Sequence, residues 1–236
     1  HLQDLLSRQP DIIQEEEVTL ARGLYAWVTG RMTDAEEFLS QAIHLNPLLD
    51  EGYEALAQLE ANRRNFEQSI LWRTEGLSND RGYLPHLEGR GLARFFWGMS
   101  EKHKMEDPIS HFRLAMKDYK AATILDSERG KAWLNSALIN MHWGTHLQAH
   151  GKDGTSHFET ALLELEEASR RSPDLVQIGL AEGNLHMHLG LHLQQRGENP
   201  EEKYQQAMTV LNKVIEEDPN HFQGWANRAT VRYYWA

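Results

Sequence analysis

Histidine is the first chemistry this sequence suggests. There are 13 His in 236 residues, alongside 35 acidic and 24 basic side chains and a formal charge of −11. His142, His146 and His150 recur at every fourth position, and His188 and His192 repeat that spacing further on. Such spacing puts side chains on one face of a helix. Two helices packed about 8–10 Å apart could therefore bring His142, His146, His188 and His192 around zinc or a similar ion. Asn184 is the evident neighbour able to fix a ring tautomer. The plainer reading, adopted here, is that these are half-buried packing histidines at a repeated position and that no metal or other cofactor is bound.

Other reactive constellations are missing. The chain has no glycine-rich loop ending in Lys-Ser or Lys-Thr, no His-Glu-x-x-His and no Gly-x-Ser-x-Gly. Gly89 and Gly91 begin a Gly-x-Gly pattern, but Arg94 takes the third place, so they read as packing glycines. The acidic runs at Glu15–Glu17, Glu164–Glu167 and Glu216–Asp218 read as solvated helix faces or first-turn acids. No catalytic residue is expected, and the protein is read as not an enzyme. The acid surplus argues against a nucleic-acid partner, since phosphate tracking needs excess Lys and Arg. No apolar run approaches the roughly 18–20 residues that span a bilayer, so no membrane insertion is expected. With no cysteine, disulfides and thiolate sites are excluded; the compartment stays open, with cytoplasm favoured over periplasm.

The elements that must position any site announce themselves as a repeat. Small residues recur as Gly23, Ala57, Gly91, Ala137, Gly183 and Ala229, with gaps of 34, 34, 46, 46 and 46. A second ladder runs Ala35, Ser69, Ala115, Ala161, Ala207, and a third Ala42, Gly76, Ala122, Ala168, Val214. Paired helices approach closely only where small side chains meet. The Pro47, Pro173 and Pro219 that follow the third ladder stop the second helix of each pair. A single helical hairpin cannot bury its apolar face, so successive hairpins must stack. The extra residues of the long units lie between the first two ladders, where Asp107-Pro108 and Asn199-Pro200 read as a cap followed by proline at the first helical position, with Asp153-Gly154 as the middle copy. Phe112, Phe158 and Tyr204 would pack the extension.

Residues Glu16 to Pro47, with Gly23, Tyr25, Gly30, Ala35, Leu39, Ala42 and Pro47, resemble a tetratricopeptide repeat (TPR). Asp50 to Arg81 is a degenerate copy, with Ser69, Arg73 and Gly76 where the family prefers Ala, an aromatic and Ala. The long units resemble repeat arrays attached to bacterial, planctomycete-type serine/threonine kinases. The resemblance implies an all-α, right-handed superhelical solenoid of antiparallel helix pairs forming one domain over 1–236. In it, 1–12 ends a preceding unit, 16–47 and 50–81 are 34-residue units, 84–128, 130–174 and 175–220 are extended units, and 222–236 starts a further one.

The resemblance also implies a non-catalytic scaffold that holds a partner's peptide or helix in a concave groove lined by first helices. Carried over position by position, the groove comprises Leu24, Trp27, Gln58, Asn62, Leu92, Phe95, Phe96, Leu134, Leu138, Met141, His142, Leu180, Asn184, Met187, His188, Tyr233 and Tyr234. Family members that grip a C-terminal carboxylate use Lys, Arg and Asn at two of these positions, which here are mostly Leu, Glu and Gln. The expected partner is therefore an apolar peptide or amphipathic helix. A second copy of the chain, docked through exposed terminal helices such as that carrying Tyr233 and Tyr234, is the other expected partner. The alternative of a different class is a metal-responsive sensor or assembly module built on the His cluster.

Overall fold

The computed structural model describes residues 14–173 and 176–236. The unit read at 1–12 and the unit boundary at 174–175 lie outside them. Among the described residues there are eleven helices and no strand. They are α1 Glu15–Val28, α2 Met32–Leu45, α3 Asp50–Asn62, α4 Phe66–Asn79, α5 Leu84–His103, α6 Ile109–Leu125, α7 Gly130–Ala149, α8 Thr155–Arg171, α9 Val176–Gln195, α10 Glu201–Glu217 and α11 Phe222–Trp235. The chain divides into two compact units, His1–Trp97 and Gly98–Ala236, with the boundary inside α5.

In the first unit α1 packs on α2, α2 on α3, and α3 on α4. Leu39, Ala55 and Leu56 form one core cluster, Ala26, Ala35 and Leu59 another, and Trp27 leans on both. In the second unit α7 pairs with α8 and α9 with α10, while α8 meets α9 and α10 meets α11. Its larger core runs through Leu134, Met141, Phe158, Leu165 and Leu185. The small-residue ladders are buried throughout, with one exception. Ala229, in α11, is exposed.

The helix ends repeat as faithfully as the cores. The residue closing each second helix is Asn46, Asp80, Asp126, Ser172 or Asp218. At Asn46, Asp80, Asp126 and Asp218 the Oδ1 accepts the backbone N–H two residues on, at 2.8–3.2 Å. These are Asx turns, which take the chain out of the helix without leaving its amides unpaired. Asp107, Asp153 and Asn199 do the same ahead of α6, α8 and α10. Pro108 and Pro200 therefore stand one residue before the helix rather than at its first turn. In the long hairpins Phe112, Phe158 and Tyr204 lie against Gly98, Gly144 and Gly190, where a Cβ would come within 2.6–2.9 Å of the ring.

Every hairpin turn places one residue in the left-handed region: Gly30, Arg64, Met105, Gly151 and Gly197, at φ between 62° and 79°. A side chain there costs about 1–2 kcal/mol that glycine does not incur. Met105 is 94% exposed, so removing its side chain sacrifices no packing. Met105→Gly is expected to raise the urea midpoint, by about 1 kcal/mol of stability once the greater freedom of the unfolded glycine is subtracted. A lower midpoint would refute that account of the turn.

Candidate functional site

In the first unit the expected groove residues are mostly accessible. Leu24, Asn62 and Leu92 are exposed and Phe96 is 47% exposed. Phe96 stacks on Phe66 of α4 at 6.4 Å and 20°. Two amides share this first-helix face: Gln58 Nε2 donates to Asn62 Oδ1 at 3.1 Å, while Gln58 Oε1 accepts from Arg73 at 3.4 Å. Trp27 is half-buried. Phe95 differs from the expectation, for it is buried.

The second unit departs further. Leu134 and Met141 belong to its main core, and Met187 packs with Tyr204, Leu211 and Val231, so none of the three offers surface to a partner. Phe95, Met141 and Met187 share one repeat position. A helix turns about 100° per residue, which swings that position off the open face and against the adjoining hairpin. Leu138, Leu180, Asn184, His142 and His188 are half-buried, while Tyr233 and Tyr234 are exposed.

The histidines do not converge as a metal site. His146 Nε2 lies 3.6 Å from Asp107 Oδ1, and its ring lies tilted at 45° against His150 with centroids 4.3 Å apart. His192 Nε2 lies 3.0 Å from Thr155 Oγ1. Among the described residues no group of three or more His, Cys, Asp or Glu is placed to hold a metal ion. Each four-residue step rotates a side chain by about 40°. That rotation carries His146 and His192 toward the loops that open α6 and α8, away from His142 and His188.

His142 and His188 lie within electrostatic reach of one another and of Lys102 from α5. Lys102 Nζ donates to Thr145 Oγ1 at 3.1 Å, and Thr145 Oγ1 donates to the His142 carbonyl at 2.9 Å. Burial, reinforced by the Lys102 charge, pushes both imidazoles down to about 4; His188 and His103 add to the effect on His142. Burial also draws the Lys102 amine below its usual value.

A second polar cluster, invisible as such in the sequence, fills the first unit. Arg73 is 2% exposed; it donates to Ser69 Oγ at 2.7 Å and Glu54 Oε1 at 2.9 Å. His86, fully buried, sits between Glu54 Oε2 at 3.3 Å and Asp50 Oδ1 at 3.6 Å, with the Tyr83 ring edge-on at 4.7 Å. A Cβ on Gly89 would meet Arg73 Nε at 2.0 Å, and one on Gly76 would meet His86 Nε2 at 2.1 Å. Residues that looked like decay of the repeat thus make room for a buried ion network. Arg73 occupies the place of Leu39 in the preceding hairpin, and its guanidinium passes over Gly89.

Stacked helical hairpins with buried small-residue ladders define the class: this is the tetratricopeptide-repeat fold. A tetratricopeptide repeat protein from Parabacteroides merdae superposes with a TM-score of 0.68 at 16% identity, covering 92% of this chain and 72% of that one. TTC0263 of Thermus thermophilus gives 0.64 at 16% identity over 92% and 99% of the two chains. YrrB, a TPR protein with an unusual peptide-binding site, gives 0.60 at 11% identity over 97% of each. No family model and no curated protein sequence matches the chain.

Proposed function

We propose that the chain is a non-catalytic interaction module whose first unit holds a peptide or helix of a partner protein. The observation that carries the reading is the pairing of exposed apolar side chains, Leu24, Leu92 and Phe96, with the Gln58–Asn62 amide pair. Amide side chains match the donors and acceptors of a peptide main chain, while apolar neighbours take its side chains. Large apolar groups gathered on one exposed face commonly mark such a site. The structural neighbour YrrB, described as having a peptide-binding site, lends support by analogy of fold.

Selecting binders from a random peptide display library tests it, with affinities then measured by calorimetry. Phe96→Ala and Asn62→Ala are each expected to weaken a selected peptide about tenfold or more, as loss of a contact worth about 1.4 kcal/mol would. Leu163→Ala, which removes an exposed leucine of α8 in the other unit, should change nothing. Peptides that bind Phe96→Ala and Asn62→Ala as tightly as the parent chain would overturn the assignment.

A further inference from the structure

We infer that the second unit docks on a second copy of this chain through an interlocking pair of grooves, one cationic and one acidic. The first groove, of about 530 Å³, runs between α6 and α8 over α7. Met116 and Trp133 give it an apolar lining, and Arg113, Lys117 and Lys120 stand along its α6 wall. Their i, i+4, i+7 spacing aligns the three charges on one face of the helix. All three are exposed, and among the described residues none makes an ion pair, whereas Arg129 and Arg171 nearby hold Asp126 and Glu167. Glu164, on the opposite wall, is already engaged, since its oxygens accept from Ser136 and Asn140. Three cations spread over about 10 Å of helix suit a ladder of acids better than one small anion.

Such a ladder stands on this chain one hairpin further on. The positions 46 residues later carry the opposite charge: Glu159 and Glu166 replace Arg113 and Lys120, are exposed, and make no ion pair among the described residues. Glu166 and Glu182 line the next groove, of about 570 Å³ between α8 and α10, where Arg170 and Lys203 are held by Glu167 and Gln206. At the same positions α10 has neutral Gln205 and Asn212, so the opposition is confined to α6 and α8. Antiparallel packing of α7 against both makes α6 and α8 parallel, with repeat-equivalent residues at equal height. A two-fold axis between two copies, parallel to these helices, then seats α8 of each copy in the α6–α8 groove of the other. The same operation seats α6 of each in the other's α8–α10 groove. Arg113 meets Glu159 and Lys120 meets Glu166, in register and twice over, which is a closed and self-complementary contact. Burial of Met116, Trp133 and Ile124, the last 75% exposed, drives association, while the charges fix partner and register.

The contact involves the second unit alone and is tested apart from peptide capture by the first. Sedimentation equilibrium of the full chain is expected to show a dimer with a micromolar dissociation constant in about 0.05 M salt, weakened at least about tenfold in about 0.5 M salt as the Debye length shrinks. Arg113→Glu with Lys120→Glu makes both stripes acidic, and Glu159→Lys with Glu166→Lys makes both basic. Each double variant, checked by circular dichroism for intact helix, should be monomeric alone. An equimolar mixture of the two should restore the dimer, because it pairs every acidic stripe with a basic one. A parent chain that stays monomeric at about 100 µM would overturn the inference. So would a mixture that stays monomeric, or a dimer that persists in both variants, as one formed through the Tyr233–Tyr234 end would.

Discussion

Glu54→Ala is expected to destabilise the chain by about 2–3 kcal/mol. Breaking a fully buried ion pair by removing one partner typically costs about 3–5 kcal/mol. Glu54 is 29% exposed, so part of that is lost to solvent screening. The loss remains large because this carboxylate serves two buried groups at once, the Arg73 guanidinium and the His86 ring. Arg73→Met should cost less, although it deletes the larger side chain. It removes a charge that is 2% exposed and leaves behind a carboxylate able to reach water. Urea unfolding of both variants decides the matter, and a larger loss for Arg73→Met would show that packing around the aliphatic stem, not charge pairing, holds this cluster.

The second large effect is a dependence on pH. His142 and His188 titrate at about 4 in the folded chain, whereas an unfolded imidazole titrates near 6.5. Between these values the unfolded chain binds protons that the folded chain refuses, so stability must fall as the pH falls through this window. Above pH 7 both states are neutral at these rings and the effect vanishes. From pH 7 to pH 5 each ring should cost about 2 kcal/mol, or about 4 kcal/mol for the pair. Glu164, whose carboxyl burial pushes upward, contributes in the opposite sense and only near the carboxylate range. Urea midpoints across this range, compared with His142→Asn and His188→Gln, measure the contribution: the double variant should flatten the slope. A slope unchanged by both substitutions would refute the burial of neutral rings.

The fold was legible because its signal is geometric. Gly23, Ala57, Ala137 and Gly183 lie where paired helices touch, and contact distance leaves little choice of side chain there. The candidate sites were less legible, since spacing along one helix reports a face without saying what the face meets. Thus the position shared by Phe95, Met141 and Met187 looked like groove lining and is core. His146 and His192 shared a stripe with His142 and His188, yet a modest rotation per turn sends them to different neighbours. The ion network of Arg73 escaped notice for a related reason. Gly76 and Gly89 are informative only once the imidazole and guanidinium that occupy their vacant volume are seen, and each of those side chains is contributed by the other helix of the pair, while Ser69 matters only as a partner of Arg73 on its own helix.

Within each unit, contacts join helices that are adjacent or next-but-one along the chain, such as α1 with α3 or α9 with α11. Little loop entropy need therefore be surrendered before native contacts begin to form, and topology of this kind is associated with rapid folding. A hairpin of the second unit has most of what it needs as soon as the next one emerges from the ribosome, so assembly can keep pace with synthesis instead of waiting for the far end of the chain.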